Sequence, residues 1–305
     1  GTTGRIVVSP SHETLQFYRN RRSRLLRQRR RLKRLRTLPA VTLDDTRVAL
    51  HANLELPREI DLAIASGAEG IGLLRTEFLF MNRETPPDEE EQYATLRKLV
   101  EGMNGQPVTI RTLDVGGEKL AYSLGEHMAE SVNPALGLRA IRFSLRQPKL
   151  FESQISAILR ANAHGPIRML LPMISTVGEV QEVREIVARV RRRLRRRGMN
   201  VGDQMPPIGV MIEVPGAALA ADALAGVSDF FAVGTNDLTM YTLAIDRSDE
   251  QVAHLYDPLH PAVLRLIQFS AQAALRARIP ISLCGEMAGD PRYTALLLGL
   301  GVREL

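Results

Sequence analysis

Polar residues end three apolar runs of this chain, and that placement limits the possible folds more than any other feature of the sequence. The runs and their polar residues are 208–215 (IGVMIEVP) with Glu213, 230–238 (FFAVGTNDL) with Asn236 and Asp237, and 281–289 (ISLCGEMAG) with Cys284. Each run is typical of a buried strand that becomes polar only at its C-terminal end. A (β/α) barrel brings such strand ends to one face, where it builds its active site.

Strands and helices are predicted to alternate along most of the chain. The predicted strands are 47–54, 70–77, 108–115, 167–174, 208–215, 230–238 and 281–287, and helical stretches open at Pro57, Asp88, Pro134, Gly178, Ala217 and Pro261. This alternation indicates a parallel sheet. An eighth strand would begin at 302–305, where the sequence ends. We therefore expect an α/β fold, a TIM (β/α)8 barrel truncated near its eighth strand and preceded by a linker helix.

The N-terminal part of the sequence is predicted to lie outside the barrel. Residues 5–8 are predicted to form a short strand without a partner strand nearby, so residues 1–10 are interpreted as the tail of an upstream domain. Residues 11–38 are predicted to form a basic linker helix, because Tyr18, Leu25, Leu32 and Leu35 make a stripe among many arginines. We expect that stripe to lie along the protein itself. Residues 39–305 would form the barrel.

Composition favours an intracellular enzyme. The chain is 45% hydrophobic and has one cysteine, so it can bury a large core but cannot form an internal disulfide. No apolar run approaches the ~18 residues of a membrane span. The net charge of +6 is typical of proteins that bind nucleic acid. Most of the positive charge, however, lies in residues 19–36 and 191–197, which contain neither a groove-reading motif nor interleaved aromatic residues. We expect a soluble, cytoplasmic protein that binds neither membranes nor nucleic acid.

Two arginines occur inside apolar strands. Arg75 and Arg111 would be costly to bury without a partner, so each must meet a carboxylate or a bound anion. An internal pair with Glu77 or Asp114 is one possibility. Because Arg247 follows the sixth predicted strand at the same face, an anionic ligand is favoured, since arginine suits multidentate phosphate recognition.

Glu213 and Asp237 end consecutive predicted strands, so their carboxylates can converge on one hard cation. Mg²⁺ favours one or two protein carboxylates, with waters and substrate oxygens completing its coordination. The alternative is that each carboxylate pairs with a neighbouring arginine. Cys284 is either an inert core thiol or, because a thiol is largely protonated at neutral pH, a proton donor at the same rim.

Seven segments carry a resemblance to a known family. They are LLRTEFLFM (73–81), RTLDVGGEK (111–119), NPALGLRAIR (133–142), LLPMIS (170–175), GVMIEVPGA (209–217), GTNDLTMYTLAIDR (234–247) and LCGEMAGD (283–290). In content and order they resemble enzyme I of the bacterial phosphoenolpyruvate-dependent phosphotransferase system. Pyruvate phosphate dikinase and phosphoenolpyruvate synthase share the barrel and several of these motifs.

The resemblance implies a role for each candidate residue. It implies that Arg75 and Arg111 hold the phosphoryl group and that Arg139 and Arg247 bind substrate in the same pocket. It implies that Glu213 and Asp237 bind Mg²⁺, and that Asn236 and Asp237 contact the substrate. Cys284 would protonate the departing enolate. The reaction moves the phosphoryl group of phosphoenolpyruvate to an enzyme histidine, then to the phosphocarrier HPr, and releases pyruvate. A homodimer assembled through the barrel is also implied.

The sequence departs from the family in its histidines. The acceptor histidine lies in an upstream swivelling domain, in a Thr-Ser-His setting that no histidine of this chain has. The domain that receives HPr is also missing, so this piece alone should lack turnover, and the sugar-uptake and nitrogen-linked branches are not distinguished. Two alternatives stay open: another Mg²⁺-dependent phosphoenolpyruvate or pyruvate barrel enzyme, such as a pyruvate-enolate lyase or aldolase, and a non-catalytic phosphoenolpyruvate sensor.

Overall fold

Seven parallel strands follow one another in chain order around a single sheet. The computed structural model describes residues 6–81, 83–116 and 133–305, apart from the side chain of Arg29. The strands are β1 Ala52–Leu54, β2 Ile71–Arg75, β3 Val108–Arg111, β4 Ile167–Leu171, β5 Ile208–Ile212, β6 Phe230–Val233 and β7 Ile281–Leu283. A strand lies in each of the seven predicted positions, and each is shorter than predicted. Strand β1 begins five residues later than predicted, whereas β2 to β7 end earlier because their C-terminal residues have already left the sheet.

The C-terminal residues join the two edges of this sheet. The backbone N–H of Leu283 donates to the carbonyl of Glu304 at 3.0 Å, and that of Ala49 donates to the carbonyl of Arg303 at 2.9 Å. Both bridges to Glu304, from Ser282 and from Ala49, are parallel. Inside the ring, the Glu304 carboxylate accepts from Arg168 of β4 at 2.8 Å. The segment predicted as the eighth strand therefore occupies the eighth position of the barrel.

Helices connect the strands. Those of the described residues are α1 His12–Lys33, α2 Ile60–Ser66, α3 Glu89–Gly102, α4 Ile141–Arg146, α5 Pro148–Ala161, α6 Val177–Arg196, α7 Pro215–Leu219, α8 Ala221–Ala225, α9 Thr235–Leu243, α10 Pro261–Ala277 and α11 Thr294–Gly299. Several begin where a cap or a proline predicts, as α3 does when Asp88 accepts from the N–H of Glu91 at 2.8 Å. Among the described residues, no helix is both long and apolar enough to cross a membrane.

The two faces of the strands bury different sets of side chains. One face packs against the helices and forms the main core. The opposite face fills the interior of the barrel with a small cluster: Leu73, Leu170, Met211, Phe230, Ala232 and Cys284. Because strand side chains alternate between faces, Cys284 continues the interior row of β7 past its last strand residue.

Three predictions about local structure are wrong. Residues 6–8 do not form a strand, and residues 1–5 lie outside the described part of the chain. Helix α1 forms as predicted, but its stripe is exposed, with Leu25 at 52% and Leu32 at 56%, so it does not lie along the barrel. The sixth strand ends at Val233, because the chain turns at Gly234 into helix α9. The division at residues 10 and 38 stays a prediction.

Gly209 of β5 offers a test of packing inside the barrel. A Cβ atom at this position would overlap the ring of Phe230, its neighbour on β6. We expect Gly209→Ala to lower the free energy of unfolding by about 1–3 kcal/mol, because an interior ring has little room to move. Gly178→Ala, where the nearest atom would be 3.9 Å away at the start of α6, should change it by less than about 0.5 kcal/mol. Denaturant titration of both variants decides, and equal midpoints would contradict the packing argument.

Candidate functional site

The eight candidate residues named by sequence line one cavity at the C-terminal ends of the strands. Its volume is about 550 Å³. The residues are Arg75, Arg111, Arg139, Glu213, Asn236, Asp237, Arg247 and Cys284. Glu77 and Asp114, which sequence reasoning considered only as partners for arginines, line it too. Gly117 to Lys119 of the RTLDVGGEK motif lie outside the described residues.

Arg111 is held between two carboxylates. Its Nη2 lies 2.5 Å from Oε1 of Glu77, and its Nη1 lies 2.9 Å from Oδ2 of Asp114. Burial lowers the pKa of Arg111, but the two carboxylates raise it by more, so the guanidinium stays charged. Two buried atoms, Nε of Arg111 and Oε2 of Glu77, have no hydrogen-bond partner within the described part of the protein. The internal pairing considered from sequence is therefore present, yet it leaves one buried donor of the Arg111 guanidinium without a partner among the described residues.

Arg139 ties two carboxylates of the cavity together. Its Nε and Nη2 meet the two oxygens of Asp114 at 2.9 and 3.2 Å, while Nη2 also lies 2.9 Å from Oδ2 of Asp237. Its Nη1 donates to the hydroxyl of Tyr241 at 3.2 Å, and that hydroxyl donates to the carbonyl of Ala135. Tyr241 was missed by sequence reasoning. Its position one helical turn after Asp237 is the signal that could have identified it.

Three carboxylates converge in the floor of the cavity. One oxygen from each of Asp114, Glu213 and Asp237 lies within 4.8 Å of the other two, an arrangement that could hold a metal ion. The sequence predicted Glu213 and Asp237 as ligands but not Asp114. The signal was available, since Asp114 lies three residues after the end of β3, at the same end of the sheet as Glu213, which directly follows β5.

The electrostatics of these carboxylates differ. Glu213 is 1% exposed, and its Oε1 accepts from the N–H of Met173 at 2.7 Å. Burial, followed by the charges of Asp114 and Asp237, raises its pKa to about 8. Burial also raises the pKa of Asp114, but Arg111 and Arg139 lower it by more. The cluster thus contains one carboxyl group whose ionised form lacks compensating charge, and a cation would supply that charge.

Asn236 and Asp237 lie in the first turn of α9 rather than at a strand end. The Oδ1 of Asn236 accepts from the N–H of Glu286 at 3.2 Å, which ties this turn to the segment after β7. The two segments approach so closely that a Cβ on Gly285 would overlap the hydroxyl of Thr235. The first turn of α9 therefore brings Asn236 and Asp237 to the cavity, where a longer sixth strand was predicted to place them.

Arg75 and Arg247 lie at the mouth of the cavity. Arg75, the last residue of β2, pairs with Glu55, and Nη1 of Arg247 lies 3.0 Å from Oε1 of Glu286. These two pairs are far more exposed than the pairs of Arg111. Arginines therefore stand at both the floor and the mouth of one cavity.

Cys284 directly follows β7 and is 6% exposed. Its Sγ donates weakly to the carbonyl of Val233 at 3.5 Å, and its own carbonyl accepts from Nδ2 of Asn53 at 2.8 Å. Burial, with a further contribution from Glu213, raises the pKa of the thiol to about 12. At neutral pH the thiol therefore keeps its proton, which suits an acid and not a nucleophile.

Comparison with known proteins agrees with this geometry. Residues 29–305 match the model of a family described as "PEP-utilising enzyme, PEP-binding domain". The chain belongs to this family. A PEP-utilising enzyme acts on phosphoenolpyruvate, an anion of the kind that the arginine-lined cavity suits.

Two curated relatives place the chain more closely. It is 48% identical over 305 residues to the phosphoenolpyruvate-protein phosphotransferase of Cupriavidus necator and 43% identical over 304 residues to that of Geobacillus stearothermophilus. Both alignments cover 100% of this chain and 52% of the relative, so this PEP-binding domain spans about half the length of those proteins.

The solved structures concern the fold alone. An aldolase/citrate lyase family protein from Burkholderia cenocepacia superposes with a TM-score of 0.50 at 15% identity, covering 90% of each chain. A citrate synthase superposes with a TM-score of 0.50 at 14% identity, covering 84% of each chain. The predicted α/β barrel architecture is confirmed.

Proposed function

We propose that this chain is the substrate-binding barrel of a phosphoenolpyruvate-protein phosphotransferase. In the whole protein, the phosphoryl group of phosphoenolpyruvate would pass to a histidine of another domain and then to HPr, while pyruvate is released. The observation that carries the proposal is one cavity lined by four arginines, in which the carboxylates of Asp114, Glu213 and Asp237 converge. The names of the curated relatives support the transfer of a phosphoryl group from phosphoenolpyruvate to a protein. A cytoplasmic homodimer joined through the barrel remains part of the proposal.

The carboxylate cluster fits Mg²⁺. Its donors are hard oxygens, the kind that Mg²⁺ prefers. Burial, together with the charges of Asp114 and Asp237, raises the pKa of Glu213, and a bound cation would favour its ionised form. Glu213 and Asp237 would hold the ion, with Asp114 close enough to contribute. When bound, Mg²⁺ would stabilise the negative charge that develops on the enolate oxygen.

The arginines would bind and orient the phosphoryl group. A planar guanidinium can donate two parallel hydrogen bonds to phosphoryl oxygens, and phosphoryl transfer depends mainly on such positioning and electrostatic stabilisation. Arg111 is fixed from two sides by Glu77 and Asp114, so its direction is set before substrate arrives. Preorganised charge of this kind is worth more in a buried site than in water.

Cys284 would complete the release of pyruvate. As the P–O bond breaks, the phosphoryl group moves to a histidine nitrogen, and the electron pair of the broken bond stays on the enolate oxygen. The thiol of Cys284 then gives its proton to the methylene carbon, which becomes the methyl group of pyruvate. A thiol whose pKa is about 12 still carries that proton at neutral pH.

A Mg²⁺-dependent lyase or aldolase acting on a pyruvate enolate is the second candidate. The shared barrel fold favours it, and such an enzyme would also use Glu213 and Asp237. It has no use, however, for arginines at both floor and mouth of the cavity. Retro-aldol cleavage of 2-keto acids by this chain would favour the lyase, and phosphoenolpyruvate binding without turnover by the full-length protein would favour a sensor.

Binding of phosphoenolpyruvate should depend on Mg²⁺. We expect calorimetry to show at least about tenfold weaker binding in EDTA, because the carboxylates would then face the anionic substrate without a cation between them. Glu213→Gln should abolish the difference. Asp222→Asn, which alters an exposed pair with Arg276, serves as a control and should preserve it. Equal affinity of the unmodified chain with and without EDTA would contradict the metal assignment.

A further inference from the structure

Glu55 places a carboxylate on the most exposed strand-end arginine of the cavity. It directly follows β1, and its Oε1 contacts Nη1 of Arg75 at the end of the neighbouring β2. Both residues line the cavity. Their side chains are 66% and 38% exposed, so the pair lies at the mouth, where an incoming ligand must pass.

The fold does not require this pair. Exposed ion pairs contribute little to stability because water and salt screen them. The turn around Glu55 is held by another residue, since Oε2 of Glu59 accepts from the backbone N–H groups of Glu55 and Leu56 at 2.8 and 2.9 Å. Arg111 differs, because its carboxylate partners are buried with it.

We propose that Glu55 is a specificity-determining residue that competes with the ligand's phosphoryl group for Arg75. The inference rests on the proposed function. A phosphoryl group that binds Nη1 of Arg75 must displace the carboxylate of Glu55, which also repels it. When the phosphoryl group has left, the carboxylate returns to the guanidinium. Glu55 thereby weakens the binding of phosphorylated ligands and leaves the binding of pyruvate, which has no phosphoryl group, unaffected.

Glu55→Gln tests this directly, because it keeps the shape of the side chain and removes its charge. In calorimetric titrations of the whole chain with Mg²⁺, we expect phosphoenolpyruvate to bind about fivefold more tightly to the variant, the range of a single exposed pair. Pyruvate affinity should be unchanged. The denaturation midpoint should be unchanged as well, which separates competition for Arg75 from a change in folding.

Glu69→Gln is the matched control. Glu69 also forms an exposed pair with an arginine, Arg47 at 2.9 Å, but it does not line the cavity. Its removal should leave both affinities unchanged. Two results would overturn the proposal: Glu69→Gln tightens phosphoenolpyruvate binding as much as Glu55→Gln does, or Glu55→Gln tightens pyruvate binding equally. In either case the loss of one negative charge from the protein would explain the effect. Unchanged or weaker phosphoenolpyruvate binding by Glu55→Gln would also overturn it.

One outcome concerns the proposed function itself. If the unmodified chain binds no phosphoenolpyruvate in the presence of Mg²⁺, both the proposed function and the role of Glu55 are wrong. If the unmodified chain binds it and only Glu55→Gln fails to tighten binding, the role of Glu55 alone is wrong.

Discussion

Cys284→Ala, made in a full-length protein that carries this chain, is expected to slow pyruvate formation at least about a hundredfold while still permitting phosphorylation of the acceptor histidine. The thiol is buried beside Glu213, and its pKa of about 12 keeps it protonated at neutral pH. Without that proton the enolate would form but would not be converted to pyruvate efficiently. Phosphoenolpyruvate affinity should stay nearly unchanged, because a thiol is a poor ligand for Mg²⁺ and for anions.

Rapid-quench measurement of phosphohistidine and pyruvate in the same samples checks this expectation. Ser282→Ala is the control, because Ser282 is a buried polar residue of β7 that does not line the cavity, and its hydroxyl donates to the carbonyl of Phe231 at 3.3 Å. Its turnover should be normal. If phosphohistidine and pyruvate both appear at unmodified rates in Cys284→Ala, the thiol is an inert core residue and the acid assignment is wrong.

Arg111→Lys is expected to weaken phosphoenolpyruvate binding about thirtyfold, which corresponds to about 2 kcal/mol. Lysine keeps the positive charge between Glu77 and Asp114, so the fold should survive. It cannot, however, hold both carboxylates and also present a planar pair of donors to a phosphoryl group. The loss should therefore be in binding and not in folding.

Calorimetry and denaturant titration, run on the same preparations, separate these two effects. Arg276→Lys is the matched control, since Arg276 makes a two-pronged contact with Asp222 on an exposed surface away from the cavity. It should leave the affinity unchanged. Equal weakening by Arg276→Lys and Arg111→Lys would mean that overall charge, and not a defined site, attracts the ligand.

The barrel and most of the candidate site could be predicted from sequence because both depend on local patterns. Strands buried on both faces must be apolar until they leave the sheet, so polar residues such as Glu213 and Cys284 mark the functional end of each strand. Arg111 could be identified by the same reasoning, since a buried guanidinium needs an anionic partner wherever the chain places it.

The predictions that were wrong concern features that depend on contacts between distant segments of the chain. Asn236 and Asp237 lie on a helix, because the sixth strand ends five residues earlier than predicted. The exposed stripe of α1 has no partner among the described residues, although its spacing suggested one. Periodicity reports which side chains share a face, but it does not report what covers that face.

Sequence alone determined the alternation of strands and helices, the end of the sheet that carries the chemistry, and the residue types gathered there. Tertiary structure alone decided that Asp114 joins Glu213 and Asp237, that Tyr241 holds Arg139, and that Glu55 meets Arg75. The physical reason is that alternation and burial act over a few neighbouring residues. The distance between two side chains at a barrel rim depends instead on how all the strands close around the axis.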